Sequence, residues 1–220
     1  MTRQPLGSIL RRSSTRRTLA FAALITLAIY GIARAETPAP ASAPVCQGCH
    51  GVHGEGNGAA AIPRLAGQSA EYLRKQLEDY ASGDRANPVM QNYAKPLTHA
   101  DIEALATYFS TAEAPHTMNP STANSAQLDL GHRLANQGSE IKRVQACNSC
   151  HGPDGIGVPQ AAPYLAGQSA EYLTSALTSF QQRTRKDDPG GLMTSIAGQL
   201  DASDIAAAAA YFASLPSNAP

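Results

Sequence analysis

The chain has 220 residues, 43% of them apolar, with 17 basic and 17 acidic side chains and no tryptophan. The apolar content excludes disorder throughout, the length allows one or two small domains, and formal neutrality excludes a general nucleic-acid binder, which carries a basic excess. Neutrality conceals an asymmetry, because residues 1–35 hold six arginines and no acid, leaving 11 basic against 17 acidic side chains in the remainder.

At the N-terminus, five arginines precede the apolar run Leu19–Ile32, and Ala33-Arg34-Ala35 supplies a small-x-small pattern. This predicts an export signal over residues 1–35, cut after Ala35. The run has 14 residues, short of the ~20 that a spanning helix needs. The body of the protein is then expected to work outside the cytoplasm.

The region that follows repeats itself. Leu65-Ala-Gly-Gln-Ser-Ala-Glu-Tyr-Leu73 recurs unchanged as Leu165–Leu173. Cys46-Gln-Gly-Cys49-His50 is matched by Cys147-Asn-Ser-Cys150-His151, each with the same glycine pattern behind it, Gly51/Gly54/Gly56 and Gly152/Gly155/Gly157. Met90 pairs with Met193, Asp101-Ile102 with Asp204-Ile205 and Tyr108-Phe109 with Tyr211-Phe212, all at an offset of 103. Ordered blocks in register predict two homologous domains, 36–118 and 119–220, with the seam in the Pro/Asn/Ser-rich stretch between Ala114 and Ser125.

The elements within each unit read as helical. Ser69 caps a predicted helix to about Ala81, with Tyr72, Leu73, Gln76, Leu77 and Tyr80 on one face. Thr98 and Asp101 form a capping box that opens a second helix to about Ala112, whose apolar face is Ile102, Leu105, Ala106 and Phe109. The second unit repeats these helices at about Ala170–Gln182 and Ala202–Ser214. No period-2 segment suggests a strand, so the expected class is all-α.

Cys-x-x-Cys followed at once by His has a specific chemical reading. The two thiols add to the two vinyl groups of a haem, and the next residue places an imidazole under the iron. A thioredoxin-type pair needs a βαβ context and gives the His no purpose. A zinc site built from both pairs brings them within roughly 15–20 residues, whereas here they are about 100 apart. Neighbouring disulfides do not explain why the whole unit occurs twice. The expected cofactors are therefore two covalent haem c groups, on Cys46, Cys49, Cys147 and Cys150, with His50 and His151 on the iron.

A second axial ligand decides between catalysis and electron transfer. Beyond the initiator there are three methionines, Met90, Met118 and Met193. Any Met can simply fill a core, but two at equivalent positions of a duplicated unit read as axial ligands, and Met118 in the linker does not. His/Met ligation saturates the iron and favours its reduced state, which leaves no position for substrate and implies outer-sphere electron transfer.

These motifs, with Pro63–Gln68 and Pro163–Gln168 and a late Met before a terminal helix, closely resemble the dihaem cytochromes c4, two class I cytochrome c domains in tandem, from Cys46 to about Leu215. The resemblance implies a fold in which each domain wraps one haem. It implies periplasmic electron transport, at times peripherally on the membrane, toward a terminal oxidase or from a quinol-oxidising complex. It also implies that the carbonyls of Pro63 and Pro163 accept the Nδ1–H of His50 and His151.

The first unit departs from that pattern. Class I domains cross an N-terminal helix over the C-terminal one, and Ala126–Gln137 can supply it in unit two. Unit one has only Glu36–Val45 before its first cysteine, with Pro38, Pro40 and Pro44 among them, so no full helix forms there. The face around Tyr108-Phe109 is expected to be less covered. Among other polar residues, His53 reads as a loop histidine, because its counterpart is Asp154. The run Arg183, Arg185, Lys186, Asp187 and Asp188 reads as a solvated loop, with docking or propionate contact as the alternative. Gln68/Gln168 and Tyr72/Tyr172 fit equally well as core and cap residues or as propionate partners.

The expected function is an electron carrier rather than an enzyme. The alternatives are a dihaem subunit of a flavin-containing dehydrogenase complex and, more distantly, a dihaem peroxidase. Residues 36–118 carry a balance of −4 and residues 119–220 one of −2, so redox partners with basic surfaces are expected.

Overall fold

The computed structural model describes residues 37–114 and 123–217, all within one compact unit. The leader with its cut site, His116 and Met118 lie outside the described residues. Helix α1 (Ala43–His50) opens with Pro44 in its first turn, where the missing N–H costs nothing. It begins only three residues before Cys46, as the proline-rich approach requires. Helix α2 (Ala70–Ser82) starts at Ser69, whose Oγ accepts the Tyr72 N–H at 3.1 Å, and stops at Gly83. Helix α3 (Pro88–Ala94) is capped by Asn87. Helix α4 (His99–Thr111) carries the reciprocal Thr98/Asp101 box.

The second half follows the same order. Helix α5 (Ser125–Asn136) precedes the short α6 (Asn148–His151), which carries the second Cys-x-x-Cys-His. Helices α7 (Ala170–Gln181), α8 (Leu192–Ala197) and α9 (Ala202–Ser214) correspond to α2, α3 and α4. Ser169 caps α7, and Asp201 with Asp204 forms the box of α9. The predicted helices agree with these bounds to within a residue or two. Among the described residues there is no strand, only isolated bridges. The fold is all-α.

In the first half α2 packs on α4, burying Leu73, Leu105, Ala106 and Phe109. Each large apolar side chain removed from water there contributes roughly 1.5–3 kcal/mol. In the second half α9 is held between α7 and α5, with Leu134, Leu173, Ile205 and Phe212 in the core. The repeated glycines have a packing reason. Gly54 has φ +76°, and a Cβ there would sit 2.9 Å from the Phe109 ring; at Gly155, φ +71°, it would sit 2.7 Å from that of Phe212. Only glycine combines that backbone with that approach.

The halves differ where the sequence predicted. Gly131 of α5 lies so close to α9 that a Cβ would come 2.2 Å from the Ala207 oxygen. Ala207 and Ala210 are buried beneath α5, while their counterparts on α4, Ala104 and Thr107, are exposed. Near the C-terminal end of α4, Thr111 Oγ1 donates to the hydroxyl of Thr37 at 3.0 Å. Among the described residues no helix is long and apolar enough to cross a membrane.

Candidate functional site

Helix α1 presents Cys46, Cys49 and His50 within about one turn and a half, and α6 with its cap residue Cys147 does the same for Cys147, Cys150 and His151. No disulfide joins any of the four cysteines. Burial pushes the Cys147 thiol up to about 11 and shifts Cys46 the same way. His50 is 6% exposed and His151 7%. Nδ1 of His50 lies 2.8 Å from the Pro63 carbonyl oxygen, and Nδ1 of His151 lies 2.9 Å from that of Pro163. These bonds assign the Nδ1–H tautomer and leave Nε2 as the ligating nitrogen. Burial lowers the pKa of both rings, against the opposing pull of the proline carbonyls.

Met90 lies on α3 and Met193 on α8. The Met90 N–H donates to Asn87 Oδ1 at 3.0 Å; the Met193 N–H donates to Asp188 Oδ1 at 3.0 Å and the Thr194 N–H to Oδ2 at 2.7 Å. Both methionines are thus fixed by a side chain of the preceding loop. All four cysteines, both histidines, both methionines and both prolines line one continuous cavity of about 1140 Å³. Its walls include Leu73, Leu105 and Phe109 in one half and Leu173, Ala209 and Phe212 in the other. His53 is exposed and lies in a loop held by its own N–H on Glu55 Oε2 at 2.8 Å.

Where the halves meet, the cavity is bounded by a buried polar cluster. Arg85 and Arg185 face each other through an antiparallel backbone bridge. Arg85 donates to the Tyr172 hydroxyl at 2.9 Å, and Arg185 to that of Tyr72 at 3.4 Å. Both guanidiniums also donate to Gln76 Oε1. Arg185 is bidentate to Asp187 at 2.7 and 2.9 Å, whereas Arg85 makes no ion pair among the described residues. The arginines cover aromatic rings as well, Arg85 over Tyr80 at 4.7 Å and Arg185 over Phe180 at 4.4 Å.

This corrects the reading of residues 183–188 as a solvated loop. Arg183 and Lys186 are exposed, but Arg185 and Asp187 are buried, because the guanidinium finds its partners in the other half. Composition and local motifs do not single out Arg85. Its signal was the repeat: Arg85 and Arg185 are separated by 100 residues, the same offset as the shared nine-residue block.

The residues present fit a covalent haem in each half. Paired cysteines outside any disulfide stand beside an imidazole with one nitrogen already engaged, and thioethers line the same cavity. A buried guanidinium without a carboxylate partner suits a macrocycle that brings carboxylates of its own.

The cytochrome c family profile matches residues 41–113 and 135–216. Among curated relatives, the thiosulfate dehydrogenase electron acceptor of Stutzerimonas stutzeri (strain A1501) is 41% identical, covering 79% of this chain and 80% of its own. A cytochrome c4 of Pseudomonas aeruginosa is 36% identical over 87% of this chain and 96% of its own. The crystal structure of reduced recombinant cytochrome c4 from Pseudomonas stutzeri matches with a TM-score of 0.73 and 33% identity, covering 81% of this chain and 98% of that one. The thiosulfate dehydrogenase TsdBA of Marichromatium purpuratum matches with a TM-score of 0.73 and 38% identity over 78% of this chain, which spans 36% of that chain.

Proposed function

The chain belongs to the cytochrome c family, in its tandem dihaem c4 form, and from that premise we propose a periplasmic electron carrier whose two haems are low-spin and His/Met-ligated. The observation that carries this is the single cavity lined by both Cys-x-x-Cys-His sets and both equivalent methionines. Cys46 and Cys49, and Cys147 and Cys150, hold the haems covalently. His50 with Met90, and His151 with Met193, would ligate the two irons. Each haem, when bound, supplies a one-electron couple at an iron with no open coordination site.

The protein's part is to hold the ligands and exclude water. Pro63 and Pro163 fix the histidine tautomer and make the imidazole more electron-rich. Asn87 and Asp188 hold the methionine backbone in place. Arg85, whose guanidinium has no carboxylate partner among the described residues, would supply positive charge to the carboxylates of a bound haem. Outside, the acidic balance of both halves favours donors and acceptors with basic surfaces, such as a terminal oxidase or a quinol-oxidising complex.

Haem stoichiometry and an absorption spectrum test this reading. Two covalent haems per chain and the red charge-transfer band of Met-ligated ferric haem are expected; one haem, or open high-spin iron, rejects it. Electron-transfer rates are expected to fall as ionic strength rises.

A second reading is favoured by the relatives named as electron acceptors of thiosulfate dehydrogenase. In it, this chain is the electron exit of a dehydrogenase partner. Reduction of the purified protein by such an enzyme with its substrate, at a rate well above that with an unrelated dehydrogenase, would establish it.

A further inference from the structure

The bond from His50 Nδ1 to the Pro63 carbonyl belongs to a longer chain. The carbonyl of Pro63 and the N–H of Arg64 are two ends of one peptide group. That N–H donates to Oε1 of Gln168, in the opposite half, at 2.9 Å. The arrangement is reciprocal: Pro163 accepts from His151, and the N–H of the same peptide, on Tyr164, donates to Oε1 of Gln68 at 2.9 Å. Both glutamines are buried. Each amide is fixed from two further directions, Gln168 by donating to the Arg64 carbonyl at 3.0 Å and accepting from Ser169 at 3.0 Å. Gln68 does the same with the Tyr164 carbonyl at 3.0 Å and Ser69 at 3.2 Å.

A peptide group that donates strongly at its N–H becomes a better acceptor at its oxygen, because hydrogen bonds in series polarise one another in a low-dielectric interior. A stronger acceptor on Nδ1–H makes the imidazole more electron-rich, which stabilises ferric iron and lowers the potential. We infer that Gln168 and Gln68 are positioning residues that tune, each across the interface, the axial histidine of the opposite half. The potential of each half then depends on its neighbour's glutamine, and full docking of the halves is needed for either histidine to have its final donor strength. The inference rests on the ligand assignment proposed above.

The test is a redox titration of the holoprotein and its Gln168→Met and Gln68→Met variants. Met90→His, which replaces a thioether by an imidazole and lowers the first-half wave selectively, assigns the two waves. Gln168→Met is expected to raise the first-half potential and leave the second unmoved, with Gln68→Met doing the reverse. In proton NMR of the reduced protein, the His50 Nδ1–H resonance should move upfield in Gln168→Met while that of His151 stays. Gln168→Glu places a stronger, ionised acceptor on the same N–H in a side chain of the same size, at the loss of the donor to the Arg64 carbonyl, so it should move the first-half wave downward. Shifts in the variant's own half, equal shifts in both waves, or no shift would overturn the inference. Two low-spin haems in every protein is the control that separates failure of this relay from failure of the ligand assignment.

Discussion

The guanidinium of Arg85 reaches from the first half to the hydroxyl of Tyr172 in the second, 2.9 Å away, and Arg185 makes the mirror connection to Tyr72. The pair fastens two domains through groups that are costly to bury unless bonded. Tyr172→Phe leaves one guanidinium donor buried without its partner and should cost about 1–3 kcal/mol. Arg85→Met also removes the bond to Gln76 and the contact with the Tyr80 ring, so it should cost more. Chemical denaturation of the holoprotein measures both, and equal stabilities for wild type and Arg85→Met would show that the arginine is dispensable at the interface.

Asp187 links that fastening to pH. Burial raises its pKa, but the bidentate bonds from Arg185 prevail and hold the carboxyl below its ordinary value. A carboxylate whose folded pKa is depressed contributes stability that is complete above its unfolded pKa, about 3.9. That contribution is lost as pH falls from there through the folded value. Asp187→Asn should therefore be less stable than wild type at neutral pH, and the gap should narrow on acidification below about pH 4. Thermal melts of the two proteins across that range report it.

Gly131 is the contact point of α5 on α9. Gly131→Ala would place a methyl carbon 2.2 Å from the Ala207 oxygen and 2.6 Å from the Tyr211 Cβ. Alanine favours the helix, but here the two helices must separate, and overpacking of this kind costs about 1–3 kcal/mol. The expected outcome is a net loss of stability with weaker hydrogen-exchange protection in α5 and α9 and little change in α2 and α4.

Helices α4 and α9 occupy equivalent places but differ in cover. Ala104 and Thr107 are exposed, while Ala207 and Ala210 lie under α5. Amides of α4 in the isolated protein should exchange faster than their partners in α9. Equal protection of the two helices would mean that α4 gains its stability without a covering helix.

Most of the fold was legible because its signals are local. Ser69, Thr98 and Asp101 announce helix starts through their own side chains, and the duplication placed the equivalent helices of the second half. The cysteine, histidine and methionine positions were legible for the same reason, since fixed spacing and repetition carry them. What escaped was the interface. Arg85, Arg185, Gln68 and Gln168 are polar residues with partners about a hundred positions away, and apart from the repeat offset of Arg85 and Arg185 no one-dimensional pattern distinguishes a charge bound across a domain boundary from one in water. Gln68 and Gln168 fit a cap or a propionate contact equally well from sequence. Their side chains instead meet the backbone of the opposite half, a partner with no residue-type signature.

The separation of those partners also orders events in time. The Arg64 peptide finds its acceptor on a residue 104 positions later, and Tyr164 finds its own 96 positions earlier. Contacts that distant form only after a long loop has closed. The N–H of Arg64 in the first half must wait for the second half before it meets its acceptor. Joining of the halves is therefore expected to follow the folding of each, and a chain interrupted between them would present a first domain with its histidine support unfinished.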